Sequence, residues 1–276
     1  MEQLRTGGPI KRSRQPPVKK LAGDGPGRPA EGMAGLGKGL AILEAFGQHR
    51  RQLTITDAAS AADLSRATAR RCLLTLVALG YLTHDGRYFH PTPRMLRLGS
   101  AYTDTTSLPQ LAQPHLTAVR DQLGESVSLA VLQDDESLFV ARAEAERIVM
   151  TGVRVGARLP AYVSATGQVL LAGLTEEALT DYLHRCHPQA RTANTPIELA
   201  EIRRRIEQAR VDGVAFTDEE LELGMRSMAV AVRDSRGNLR AAMSVSTAAA
   251  RLSMAELRQN SLPVLQERAQ QFGHTL

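Results

Sequence analysis

The segment Ser65-Arg66-Ala67-Thr68-Ala69-Arg70-Arg71 gathers side chains suited to gripping a nucleic acid. A guanidinium can bond a guanine edge or a phosphate through two parallel N–H groups. Ser and Thr hydroxyls donate to phosphate oxygens and fix register. Further along, His84 and Arg87 flank Asp85-Gly86, a pattern that puts donors at the tip of a tight turn. Ser65, Arg66, Thr68, Arg70, Arg71, His84 and Arg87 are therefore the candidate DNA-contacting residues, with His90 beside them on the same hairpin.

These side chains need a frame, and the local pattern supplies one. Ser65 suits a helix N-cap, its hydroxyl accepting from a free backbone N–H in the first turn. From there Ala69, Cys72, Leu73 and Leu76 recur at helical spacing as a buried stripe. Arg71 and Ala67 fall on the opposite side, with Arg70 and Thr68 flanking them. Gly80 suits the C-cap. The β-prone runs Tyr81–His84 and Arg87–His90 enclose Asp-Gly, which predicts a two-residue type I′ hairpin with positive φ at both centres. With a short helix before it, the stretch 54–92 predicts a winged helix-turn-helix, whose second helix is shaped to enter the DNA major groove.

Charge is distributed unevenly. The chain has 276 residues and a formal charge of +5. Residues 1–100 hold 16 basic and 7 acidic side chains, the remainder 18 and 22. A basic first part joined to an acidic second part implies that only the first meets a polyanion. The length suits two domains, and 43% hydrophobic residues suffice for sizeable cores. No apolar run reaches the roughly eighteen residues of a membrane span, and no apolar segment follows the basic N-terminus as in a secretory signal. Two cysteines, Cys72 and Cys186, make no disulfide framework. A cytoplasmic, reduced protein is the simplest expectation.

Four regions are expected along the chain. Residues 1–32, rich in Pro, Gly, Lys and Arg, read as a disordered basic tail. Within it Gly27-Arg28-Pro29 suits either a solvated linker or a minor-groove arm. Residues 33–93 form the winged helix-turn-helix, opened by an amphipathic helix over 36–48. Residues 94–107 form a linker helix, with helices over 93–105 and 108–124 broken near Ser107-Leu108-Pro109. Residues 108–276 form an α+β domain on one mostly antiparallel sheet. Its strands are expected at 127–132, 138–143, 148–155, 214–217, 227–233 and 239–246, and its helices at 164–173, 176–186, 196–211 and 254–272. Thr195-Pro196-Ile197-Glu198 and Ser253-Met254-Ala255-Glu256 read as capping boxes.

Taken in order, the stretches GKGLAILEAF (37–46), LSRATARRCLLTLVALGYL (64–82), GESVSLAVLQ (124–133), VGARLPAYVSATGQVLLA (155–172), TDEELELGMRSMAVAVRD (217–234) and AAMSVSTAAARLS (241–253) resemble the IclR family of bacterial transcriptional regulators over roughly residues 34–272. The resemblance implies an N-terminal winged helix-turn-helix and a C-terminal effector-binding domain related to GAF and PAS modules. It also implies a homodimer or homotetramer on a pseudo-palindromic operator in double-stranded DNA. RATARR (66–71) and Arg226-Ser227-Met228-Ala229-Val230 are most similar to the branch controlling aromatic-acid breakdown, which responds to protocatechuate, 4-hydroxybenzoate or β-ketoadipate.

Carried over by motif, the family's effector pocket falls on Leu159, Ala165, Thr166, Thr217, Met225, Ser227, Ser244 and Ser246. Ser244 and Ser246 are two apart, so on a strand both hydroxyls share a face. Ser164-Ala165-Thr166-Gly167 opens a helix, where backbone N–H groups can hold an anion. The implied effector is a small carboxylate, aromatic in this branch. In the branch responding to glyoxylate and pyruvate, the positions matching Thr217 and Ser227 are Asp and Cys, a departure that argues against those two acids.

His184-Arg185-Cys186-His187 superficially resembles a metal site, but if helical only His184 and His187 share a face, so no metal or other cofactor is expected. The acidic run Asp218-Glu219-Glu220 with Glu222 reads as a solvated strand end or turn. No nucleophile elbow, P-loop or zinc-protease motif is present, and no catalytic residue is assigned. A ligand-controlled transcription factor is the leading expectation. An enzyme fused to a DNA-binding domain and a ligand-independent architectural DNA-binding protein are the alternatives.

Overall fold

In the computed structural model, residues 33–47, 50–99, 107–146 and 153–276 are described. The expected tail at 1–32 and residues 100–106 of the expected linker lie outside them. The chain divides into two units, Met1–Tyr102 and Thr103–Leu276.

The first unit contains α1 (Ala34–Glu44), α2 (Ile55–Ala61), α3 (Arg66–Ala78) and a hairpin of β1 (Leu82–His84) and β2 (Phe89–Pro91). Thr54 and Asp57 close a reciprocal capping box on α2. Ser65 caps α3, its hydroxyl accepting from Thr68 N. At the other end of α3, Gly80 (φ +77°) reverses the chain. Gly80 N donates to Val77 O and Tyr81 N to Leu76 O, the paired bonds of a Schellman motif. Leu53 exchanges two backbone bonds with Phe89 and so extends the hairpin sheet. Ile42, Leu53, Ala58, Ala69, Leu73, Leu82 and Phe89 fill the core beneath it.

The hairpin turn differs from expectation. His84 pairs with Phe89, and Asp85 N donates to Tyr88 O, so the central residues are Gly86 and Arg87. Only Gly86 has positive φ, the pattern of a type II′ turn rather than I′. The Asp85 carboxylate accepts from Arg87 N at 2.9 Å and Tyr88 N at 2.7 Å. Its acceptor role at the corner shifts the turn by one residue. A 3-10 turn, Pro93–Met95, then leads into helical residues 96–99, the described part of the helix expected over 93–105.

The second unit is a six-stranded antiparallel sheet in the order β5-β4-β3-β8-β7-β6. Its strands are β3 (Ser126–Gln133), β4 (Glu136–Ala143), β5 (Arg158–Pro160), β6 (Val214–Asp218), β7 (Met225–Arg233) and β8 (Leu239–Ala248). On one face lie α4 (Ser107–Leu123) and the C-terminal helical run: α8 (Met254–Glu256), a π-helical turn Leu257–Ser261 and α9 (Leu262–Gly273). Val127, Leu129, Met228, Val230, Met243 and Val245 meet Leu116, Leu265 and Phe272 there. On the other face lie α5 (Ala165–Leu171), α6 (Glu176–Arg185) and α7 (Leu199–Asp212). The strands supply small side chains to this second core, including Ala130, Ala215, Ala229 and Ala242. Small strand residues let α5 approach closely. On its other side α5 packs on the 3-10 turn before it, Ala161–Val163, where a Cβ on Gly167 would sit 2.3 Å from Ala161 Cα and O.

Two local expectations are corrected here. The expected strand over 148–155 is not formed where it is described: residues 153 and 154 belong to no element, 155 and 156 form a turn, and β5 follows at 158. Thr195 makes no capping box, and α7 starts later, at Leu199 with Glu198 as N-cap. The buried Thr195 hydroxyl instead accepts from Arg191 N and Thr192 N and donates to Glu220 O. The helix expected over 108–124 forms as α4, Ser107–Leu123, with Pro109 in a first turn where its missing N–H costs no bond, and the residues just before it lie outside the described ones. The box at Ser253 and Glu256 forms as expected.

Candidate functional site

The basic face of α3 is built by its buried stripe. Ala69, Leu73 and Leu76 are buried and Cys72 is half-buried, which turns Arg70 and Arg71 outward. Neither arginine makes a salt bridge among the described residues, so both guanidinium groups point to solvent unpaired. The other candidates have internal partners. Ser65 Oγ donates to Thr68 Oγ1 at 2.9 Å. Arg66 donates to Thr56 Oγ1 at 2.5 Å and so ties α3 to α2. In the wing, the exposed His84 stacks on Phe89 with ring centroids 4.2 Å apart, and Arg87 lies over the Tyr88 ring at 5.0 Å. His90 Nε2 sits 3.0 Å from the Asp85 carboxylate, a contact that turns it into the hairpin. The backbone and His90 bonds hold the Asp85 carboxyl below the ordinary carboxylate value. Arg50 and Arg51 flank a surface hollow with Asp57 and Ser60; they were not among the expected residues, being isolated from any helical pattern.

In the second unit a small cavity of about 30 Å³ lies between the sheet and the start of α5. All eight expected residues line it: Leu159, Ala165, Thr166, Thr217, Met225, Ser227, Ser244 and Ser246. The register explains the convergence. Thr217 pairs with Ser227, Ser227 with Ser246, and Ser246 with Ser126. Directly opposed residues share a face, so four hydroxyl side chains form a row across β6, β7, β8 and β3. Ser244, two residues from Ser246, extends the patch, and Ala215 and Ala229 continue the same face as core.

The hydroxyls are linked to one another. Thr217 Oγ1 and Ser227 Oγ are 2.7 Å apart. Thr166 Oγ1 lies 2.7 Å from Ser137 Oγ, which is fully buried. Ser164 caps α5 and takes up the Gly167 N–H at 3.1 Å, so that donor is already used. Phe139, Val153, Val163, Ser164 and Leu221 complete the wall. Ser164 was legible only as part of a helix start whose N–H groups could hold an anion; Phe139 and Leu221 carry no local signal, because strand pairing and a loop bring them in.

The acidic run beside the cavity lies at a strand end and turn as expected, with Glu222 exposed, but Glu220 departs from a solvated reading. Glu220 is buried and pairs with Arg205 on α7 at 2.7 Å. Burial raises its carboxyl above the usual value even so. Asp218 pairs with Arg226 at 2.6 Å. The Glu219 carboxylate accepts from Gly224 N. These bonds pin the 219–225 loop, which carries Leu221 and Met225 to the cavity. His184 and Arg185 end α6, and Cys186 and His187 lie past its end. Among the described residues no three His, Cys, Asp or Glu side chains group as metal ligands.

Residues 35–86 match the IclR helix-turn-helix domain, and residues 100–274 match the bacterial transcriptional regulator IclR C-terminal domain. The chain belongs to the IclR family of bacterial transcriptional regulators. Its helix-turn-helix is the DNA-binding element of an IclR regulator, and its acidic unit is the IclR effector-binding domain. The chain is 40% identical over 245 residues to the Pca regulon regulatory protein of Pseudomonas putida, spanning 88% of this chain and 84% of that one. A solved transcriptional regulator from Rhodococcus sp. RHA1 shares 40% identity and superposes with a TM-score of 0.77, over 88% of this chain and 98% of that one. A solved IclR homologue from Microbacterium hydrocarbonoxydans, complexed with 4-hydroxybenzoate, shares 25% identity with a TM-score of 0.72, over 88% and 100%. No helix among the described residues is long and apolar enough to cross a membrane.

Proposed function

We propose that this IclR regulator senses a small aromatic acid in the hydroxyl-lined cavity and controls genes for its breakdown. The observation that carries the reading is the convergence of Thr166, Thr217, Ser227, Ser244 and Ser246 on one cavity with apolar walls from Phe139, Leu159 and Met225. Apolar walls with a few placed polar groups suit an aromatic ring bearing oxygens. The 4-hydroxybenzoate bound by the Microbacterium homologue and the Pca regulon controlled by the Pseudomonas relative support the same class of effector. A ring larger than the present free space displaces the side chains on the 219–225 loop. That displacement is the differential contact a ligand needs in order to bias two arrangements of a protein.

In this reading the tail (1–32), DNA-binding domain (33–93), linker helix (94–107) and effector domain (108–276) act in series. A homodimer or homotetramer sets two α3 helices on successive major grooves of a pseudo-palindromic operator. Ser65, Arg66, Thr68, Arg70 and Arg71 contact bases and phosphates, and His84 and Arg87 contact the flanking backbone. The cavity senses its ligand without converting it, and recovery of the acid unchanged after incubation checks this. The direct test is a thermal-shift screen of 4-hydroxybenzoate, protocatechuate and β-ketoadipate. A ligand at 100 times its Kd adds roughly 2.7 kcal/mol of apparent stability, and no shift with any aromatic acid contradicts the reading.

A further inference from the structure

A carboxylate entering this cavity meets no cation in the wall, because none of the lining residues is Lys, Arg or His. The sheet face that forms the wall nevertheless carries one deeply buried cation just behind it. Arg142 on β4 pairs with Ser128 on β3, and its side chain is 7% exposed. It reaches that face through an irregularity in the strand. Phe139 pairs with Ala130 and Ala141 with Leu129, leaving Val140 as an extra residue. Val140 and Ala141 both pack into the opposite core, while Phe139 packs on the cavity side. Three residues apart, Phe139 and Arg142 would face opposite ways on a regular strand. The bulge puts them on the same side, the kind of re-aiming bulges perform beside functional sites.

The buried guanidinium is incompletely satisfied. One terminal nitrogen donates to Ser128 Oγ at 3.0 Å, and the other is 3.6 Å from the half-exposed Glu144 carboxylate. Its Nε is buried with no hydrogen-bond partner. Ser128 is the next step to the cavity: its carbonyl lies 3.5 Å from the hydroxyl of Ser244, which lines the wall. Burial lowers the guanidinium pKa, the mark of a cation short of compensating negative charge.

We propose that Arg142 is the charge that holds the effector's carboxylate and selects acids over neutral analogues, an inference that rests on the aromatic-acid reading above. The acid enters ring-first among the apolar walls, and its carboxylate takes the place of the Glu144 contact on the guanidinium. The exposed end of the Glu144 pair holds it weakly.

The test is calorimetric titration of the full chain with 4-hydroxybenzoate, protocatechuate and 4-hydroxybenzamide. Wild-type protein is expected to prefer the acid over its amide by at least tenfold. Arg142→Gln is expected to weaken the acid roughly tenfold to a hundredfold, as loss of a charge-assisted hydrogen bond does, and to bring acid and amide level. Arg142→Lys is expected to keep part of the preference. An acid–amide preference unchanged in R142Q, or wild-type protein binding the amide as tightly as the acid, overturns the role of Arg142 alone. The second outcome requires no variant to fold. Wild-type protein that binds no aromatic acid overturns the sensing function, and the role of Arg142 with it.

Discussion

Gly167 shows how closely the cavity depends on single atoms. A methyl there would collide with the Ala161 backbone at 2.3 Å, and backbone cannot yield as a side-chain tip can. Gly167→Ala is expected to cost about 1–3 kcal/mol of unfolding stability in urea, in the range of overpacked cores, and to abolish effector binding. Gly80 at φ +77° serves the other unit: Gly80→Ala is expected to cost about 1 kcal/mol because a Cβ strains left-handed backbone. The Asp85 carboxyl is held below its ordinary value by Tyr88 N first, then His90 and Arg87 N. Its contribution is thus in place above the ordinary carboxylate pKa and is lost as pH falls through and below that value. Wing melting followed between pH 5 and 2 is expected to show this loss, and Asp85→Asn is expected to flatten the profile. A wild-type profile flat over that range would contradict the assignment. At this scale the sequence disclosed the residue types but not their partners: Asp85 reads as a turn residue, and only the fold shows it capturing His90.

The elements differ in how plainly the sequence announces them. Helix α3 is legible from end to end, because a serine cap, a four-residue apolar stripe and a glycine reversal agree with one another. The strands are legible as runs, yet their order and register are not, since pairing joins residues far apart, such as Ser128 with Ser244. The cavity residues therefore followed from family resemblance, and their convergence from the register of β6, β7 and β8. The Thr195 box failed for a related reason: a buried hydroxyl whose lone pairs already accept from Arg191 N and Thr192 N cannot also cap α7. Ser65→Ala separates two roles of one element. It is expected to lower stability of the first unit by about 1 kcal/mol, measured by chemical melt, and to weaken DNA binding beyond what that loss explains.

The charge asymmetry read from the chain belongs to the whole molecule: a basic unit carries α3, and an acidic unit carries the cavity. DNA affinity should fall steeply with salt, and Arg71→Ala should weaken binding at all sequences or relax one position. A reduction of the log–log salt slope by about one identifies Arg71 as a phosphate contact, and an unchanged slope with altered base preference identifies a base contact. The central claim is that occupancy of the cavity in one unit changes what the other does with DNA. The most direct measurement is fluorescence anisotropy of full-length protein on the DNA upstream of its own gene, at fixed salt, with and without saturating aromatic acid. The account predicts a shift in DNA affinity of about fivefold or more, in either direction. Identical affinity in both conditions, with the acid bound, would contradict it.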